Sequence, residues 1–248
     1  MDIDWPELRA RSLLLEDEAV LALNKPAGIS VTGERHDIDI VDAAEARGEK
    51  LYPVHRIDKV TSGLILFARE LSAHGPLTRQ FNKQTAEKVY LAIVDAGAAE
   101  LPGTGIIDLP LGVGRKNRVR VAAPRETIRR VGDRWSVADT DLLNTKNYPS
   151  TTEFTVLARH PEHTVVALRP ITGRRHQLRV HLAWIGHHIL GDPLFDRSGT
   201  IPRAHLHSWR LGLAADWRPD GRLELEAPPG ADFWSPLPGP PPALPGPR

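Results

Sequence analysis

A chain of 248 residues, 41% hydrophobic and with a formal net charge of only +1, is long enough to bury its own core, as one large domain or as one domain in two lobes. It contains no cysteine, which excludes disulfides and thiolate metal sites and makes the cytoplasm the expected compartment. The acidic start Met1-Asp2-Ile3-Asp4-Trp5-Pro6 lacks the basic and apolar regions of a signal peptide, and no apolar run approaches the length of a bilayer span, so no membrane partner is expected.

Leu13 to Asn24 reads as two short strands around the acidic turn Glu16-Asp17-Glu18, and Lys25-Pro26-Ala27-Gly28 stops the second. Ser62 to Ala68 is a continuous apolar run of strand length; Ser72 is placed to cap a following helix that carries Leu77 and Phe81 on one face. In Glu87 to Val94 both alternating sets are largely apolar, which predicts a strand central in a sheet. Residues 97–147, with Pro102, Gly103, Gly105, Gly112 and Gly114 ahead of a basic run, read as a mobile insertion. Thr151–Ala158 and His163–Leu168 read as strands joined by a short hairpin connection, and Leu178, Leu182 and Ile185 mark a helix from about Arg175. Gly186 suits the position after its end. Residues 235–248 hold seven prolines, a composition that cannot form regular helix or ladder, and are expected to be an extended or disordered tail after one domain at 1–234.

Charge is sorted along the chain. Residues 1–50 carry twelve acids against six Lys or Arg, whereas residues 115–134 carry eight Lys or Arg against two acids. The basic group includes Arg115, Lys116, Arg118 and Arg120; a second, Arg169, Arg174, Arg175 and Arg179, has no acid among residues 168–181. Such sorting suits a face that meets phosphates. The histidines do not form the i, i+4 pair with an intervening glutamate that marks zinc hydrolases, so no metal is expected.

Chemistry is expected first at Pro53-Val54-His55-Arg56-Ile57-Asp58-Lys59-Val60-Thr61-Ser62-Gly63-Leu64, where one carboxylate stands between basic side chains just before the apolar strand. Positive neighbours favour the ionised form of Asp58, and an ionised carboxylate can act as nucleophile or base. Tyr90, in Glu87-Lys88-Val89-Tyr90-Leu91-Ala92, offers a flat face inside an apolar strand. The third segment is Thr172-Gly173-Arg174-Arg175-His176-Gln177-Leu178-Arg179-Val180-His181-Leu182, continued by Gly186-His187-His188-Ile189-Leu190-Gly191-Asp192.

In this order the three segments resemble the RNA pseudouridine synthases of the RluA family. The likeness runs from Leu14-Leu15-Glu16 and Asn24-Lys25-Pro26-Ala27-Gly28 to Leu206-His207-Ser208-Trp209 and Ala227-Pro228, most of the chain. The resemblance implies a mixed α/β fold: a long, mainly antiparallel mixed sheet in two lobes flanked by helices, with the active-site cleft between them. It implies an isomerase that converts uridines of ribosomal or transfer RNA to pseudouridine on a flipped-out base, without cofactor. The catalytic residues it implies are Asp58, Tyr90 and Arg179, the last balancing the carboxylate. RNA contacts are expected from His55, Arg56, Arg174, Arg175 and His176 and from the basic run at Arg115, Lys116, Arg118 and Arg120. Arg174 and Arg175, with the amides after Gly173, would make a cationic helix start for a phosphate; Arg175 departs from the Ser or Thr usual in the family.

Because the motifs begin near residue 14, no separate RNA-binding domain is expected ahead of them, and a monomer with no obligate protein partner is the expected state. The reading from another class is a protein that binds and refolds RNA without modifying it; the presence of Asp58, Tyr90 and Arg179 together argues against it. A glycoside hydrolase would need a second acid in a comparable motif, and none is present.

Overall fold

The computed structural model describes residues 3–33, 38–97 and 99–246. Its helices are α1 (Trp5–Ser12), α2 (Ile40–Glu45), α3 (Leu71–Asn82), α4 (Gln177–Trp184) and α5 (Ala231–Trp234). The strands of the first half are β1 (Leu13–Glu16), β2 (Val20–Lys25), β3 (Tyr52–Pro53), β4 (Ser62–Ala68) and β5 (Glu87–Asp95). Then follow β6 (Thr104–Asp108), β7 (Leu111–Val113), β8 (Val119–Val121), β9 (Arg129–Val131), β10 (Arg134–Ser136) and β11 (Asn147–Tyr148). The last are β12 (Thr151–Arg159), β13 (His163–Pro170), β14 (Leu206–Ala214) and β15 (Arg222–Glu226). The chain divides into two units, Met1–Tyr90 with Leu206–Gly230, and Leu91–His205 with Ala231–Arg248.

In the first unit β4 lies antiparallel to β2 and parallel to β14, and all seven of its residues are buried. The continuous apolar run is explained by its two covered faces. Because strand side chains alternate, Leu64, Leu66 and Ala68 join Val20 and Ala22 in one core, under Leu77 of α3 and beside Leu211 and Leu213 of β14. Ile65 and Phe67 go the other way, with Leu21 and Leu23, into a second core closed by Trp5 and Leu8 of α1 and Ile40 of α2. Neither α1 nor α2 is announced by apolar periodicity; each begins at an aspartate cap, Asp4 accepting from the Glu7 amide at 3.2 Å and Asp39 from the Asp42 amide at 3.0 Å. Helix α3 begins one residue before the expected cap: Ser72 lies inside it and donates to Glu70 Oε2 at 3.3 Å, while the N-cap position is Glu70, whose side chain caps no amide.

In the second unit β12 is antiparallel to both β13 and β6, β10 runs parallel to β6, and β9 closes that edge. A separate three-stranded sheet has the order β11-β7-β8. The segment 97–147, irregular by composition, thus carries five complete strands and the first residue of a sixth. These strands are too short, and too interrupted by Gly and Pro, to show a period of two in the sequence. Helix α4 is buried from Gln177 to Ala183. After residue 234 there is no regular element up to 246, although Leu237 is buried; residues 247–248 of the proline-rich tail lie outside the described residues.

Candidate active site

Asp58 stands in the loop between β3 and β4, and a tight turn from the Thr61 amide to the Asp58 carbonyl, 3.0 Å, closes that loop. The loop is pinned from below by Lys25. This lysine is 1% exposed, and its Nζ donates to the carbonyls of Pro26 at 2.9 Å, Ile29 at 2.7 Å and Lys59 at 3.4 Å. The Gly28 amide adds a bond to the same Lys59 carbonyl at 2.7 Å. A buried cation is tolerable only when so satisfied. Here it locks the Lys25–Gly28 turn to the residue after Asp58.

Gly63 sets the other side. Its φ is +103°, and a Cβ there would fall 2.2 Å from the Ser208 carbonyl oxygen, so only glycine allows β14 to approach β4 this closely. Ser208 in turn hydrogen-bonds Tyr90. Burial, reinforced by the negative charge of Asp58 and opposed by the Ser208 bond, pushes the Tyr90 hydroxyl up to about 12. Tyr90 therefore keeps its proton at neutral pH; it can stack and hydrogen-bond, but it is not a base. Asp58 and Tyr90 thus share one electrostatic neighbourhood in the first unit.

His55, expected at the RNA, is engaged within the fold. Its Nε2 accepts the Leu66 amide proton at 3.0 Å, and its ring stacks on Phe81 at 4.5 Å and 10°. Burial, with Lys88 nearby, lowers it to about 3, so the imidazole is neutral and serves the fold between β4 and α3. Arg56, next but one to Asp58, is exposed.

In the second unit Arg179 projects from α4 into a bidentate pair with Asp192, Nε to Oδ2 at 2.8 Å and Nη2 to Oδ1 at 2.5 Å. Both side chains are buried, at 5% and 1% exposure. Gly191, with φ +66°, lets the chain turn here, since a Cβ would meet the Arg203 carbonyl oxygen at 1.9 Å. The helix itself is held by a relay of polar groups. Gln177 Oε1 accepts from the Thr172 hydroxyl at 2.7 Å and the Arg174 amide at 3.0 Å; its Nε2 donates to the Thr151 carbonyl and to Thr152 Oγ1, both at 3.0 Å. Thr152 donates to His181 Nδ1 at 3.0 Å, and His181 Nε2 donates to the Leu109 carbonyl at 3.0 Å. This order leaves His181 neutral, and burial lowers it to about 4.

The expected cationic helix start is built otherwise. Helix α4 begins at Gln177 after His176, which takes the left-handed φ of 56°, and the Arg174 amide already belongs to Gln177. Arg174 and Arg175 instead reach sideways. Arg175 donates to the Asn117 carbonyl, and the Arg174 guanidinium lies 5.3 Å from the Tyr148 ring centre. The structure thereby joins Arg175 to the exposed loop of Arg115, Lys116 and Arg118, with Arg120 beside it over Gly114, and Arg174 to the Tyr148–Pro149 segment. Among the described residues no group of three or more His, Asp or Glu could hold a metal ion.

A family model described as RNA pseudouridylate synthase matches residues 19–184. The dual-specificity RNA pseudouridine synthase RluA of Salmonella typhi is 34% identical over 208 residues, 81% of this chain and 85% of that protein. The ribosomal large subunit pseudouridine synthase D of Nitrosomonas europaea is 31% identical over 220 residues, 81% of this chain and 57% of that protein. Among solved structures, human RNA pseudouridylate synthase domain containing 4 superposes with a TM-score of 0.72 at 25% identity, covering 92% of each chain. The chain belongs to the RluA-type RNA pseudouridine synthases, isomerases that convert uridine in RNA to pseudouridine. The expected fold class is that of its structural neighbours, and the reading as an RNA binder without catalysis is not favoured.

Proposed function

We propose that the chain modifies uridines of ribosomal or transfer RNA in the cytoplasm, as a monomer, with Asp58 as the catalytic carboxylate. The reaction detaches uracil from C1′ of the ribose, turns it, and rejoins it through carbon. It needs a carboxylate at the sugar and a surface that keeps the free base. What carries the reading is the family match over residues 19–184, which spans Asp58, Tyr90 and Arg179, with Asp58, in the loop pinned by Lys25, near enough to Tyr90 for its charge to be felt there. Tyr90 supplies the stacking face and Arg56 a cation for the RNA near the opened site. Arg179 is assigned to the set by the family resemblance, and its fork is oriented by Asp192. The relatives, one named for dual specificity toward RNA and one for the ribosomal large subunit, support ribosomal RNA as a substrate, and transfer RNA rests on the family resemblance.

The test is a map of pseudouridines in ribosomal and transfer RNA from cells with and without this protein. Sites that vanish on deletion should return with the wild-type chain and stay absent with Asp58→Asn. Return of every site with the Asn variant would remove Asp58 from the chemistry.

A further inference from the structure

Three chain segments meet around β11 in the second unit: residues 109–122, 142–150 and 171–177. Together they carry seven Lys or Arg and no Asp or Glu, in a chain whose 32 basic and 31 acidic residues nearly cancel. Strand pairing assembles the first two, Tyr148 opposite Leu111 and Leu111 opposite Val121. Leu111 and Val121 are buried, so the strand backbones are anchored, yet Tyr148 at the edge is 36% exposed. The third segment is tied on by Arg174, whose Nε donates to the Pro149 carbonyl at 3.4 Å, and by Arg175 on Asn117. Lys116 and Asn117 hold left-handed backbone angles, φ 55° and 58°, which form the tight tip between β7 and β8 that Arg175 meets.

Tyr148 is the aromatic residue of this patch. Lys146 Nζ lies 5.4 Å and the Arg174 guanidinium carbon 5.3 Å from its ring centre. A patch meant for phosphates alone has no use for an exposed ring. Both cations lie over the ring, and a nucleobase can take a cation's place at the face while Lys146 and Arg174 swing to the adjoining phosphates. We propose that Tyr148 is a stacking platform for an unpaired base of the substrate RNA other than the reacting uridine, with Lys146 and Arg174 holding the flanking phosphates. The proposal rests on the RNA reading above and adds to it a second base contact. An acidic peptide would meet the cations but would not need the ring.

The test uses the full chain, a single-stranded 12-nucleotide RNA carrying one 2-aminopurine, and a duplex RNA of the same length. Tyr148→Ala should weaken single-strand binding by roughly 5- to 100-fold and abolish 2-aminopurine quenching, whereas Tyr148→Phe should keep both. The log-log salt slope should be unchanged in Tyr148→Ala, while Lys146→Ala and Arg174→Ala each flatten it by about 0.7. Binding of the duplex should be indifferent to Tyr148. Wild-type quenching and affinity in Tyr148→Ala overturn the platform, and so does an equal loss on duplex, which would mean the patch had merely lost its shape. Isomerisation of RNA extracted from cells lacking the protein, assayed in parallel, separates the two claims. A wild-type chain that stacks the base but isomerises nothing would overturn the enzyme reading alone, and one that isomerises while Tyr148→Ala binds normally would overturn the platform alone.

Discussion

Arg179 and Asp192 form a buried two-pronged ion pair, at 2.8 and 2.5 Å, in which Asp192 Oδ1 also accepts the Leu194 amide at 2.9 Å. The carboxylate thus fixes both the arginine fork and the loop after Gly191. Removing one member of a buried pair strands the other. Asp192→Ala should therefore cost about 3–5 kcal/mol in urea unfolding and lower turnover with it. Arg179→Lys should keep charge but lose the planar fork, leaving a folded chain of reduced activity. Wild-type turnover in both variants would show that the fork plays no part.

Asp58→Asn removes charge and almost no volume, so the variant should fold, bind RNA with wild-type affinity and form no pseudouridine. Single-turnover assays at saturating RNA measure this directly. Weakened binding with a normal chemical step would move Asp58 from the chemistry to the RNA contact.

Tyr90→Phe keeps the ring and loses the bond to Ser208, whereas Tyr90→Ala loses the platform, worth roughly 1–3 kcal/mol for a stacked base. RNA affinity should fall in the order wild type, Phe, Ala. Because the hydroxyl is held up at about 12, no rise in phenolate absorbance from Tyr90 should be seen below pH 10. Equal and undiminished affinity in both variants would make Tyr90 a core residue only.

Lys25→Met keeps the buried stem and removes the ammonium that three carbonyls share. The Pro26 and Ile29 carbonyls lose this donor while the Lys59 carbonyl keeps the Gly28 amide, and a loss of about 1–3 kcal/mol is the expected result. The Asp58 loop should loosen, so kcat should fall more than RNA affinity, and amide exchange at Gly28 and Thr61 should quicken. Unchanged exchange there would show that the lysine does not position the loop.

The limits of the sequence follow the same physics. The strand at 62–68 was legible because a strand buried on both faces writes a continuous apolar run, and β12 and β13 were legible from strand-forming runs on either side of a short connection. Helices α1 and α2 were not, since an aspartate cap and two or three buried residues make them without a readable stripe. The motif positions could be named, but not their neighbours. Lys25, Gln177, Asp192 and Ser208 all lie within stretches that carry the family resemblance, yet their partners lie several to more than a hundred residues away. His55 shows the converse: its motif suggested RNA, and only the Leu66 amide and the Phe81 ring reveal that the imidazole is occupied by the fold.

Three histidines held neutral by the fold, His55, which burial lowers to about 3, together with His181 and His205, make stability depend on pH with a definite sign. His181 is lowered to about 4 by burial, despite the Leu109 bond and Asp108. His205 is also lowered to about 4 by burial, with Arg203 and His163 adding to the shift and the Phe233 carbonyl and Asp232 opposing it. Its Nδ1 donates to that carbonyl at 2.8 Å, and its Nε2 is buried without a hydrogen-bond partner. The unfolded chain takes up these protons near pH 6.5, so between about 6.5 and 4 it binds more protons than the folded chain. Stability must then rise with pH across this window, and fall on acidification by about 1.4 kcal/mol per pH unit for each histidine. Above about 6.5 none of the three is charged in either state and the dependence from them disappears. Urea midpoints from pH 4.5 to 7.5 measure the slope, and His181→Asn, neutral throughout, should remove about a third of the contribution of His55, His181 and His205. A midpoint that is flat over this window, or an Asn variant with the wild-type slope, would show that His181 is not held neutral in the folded chain.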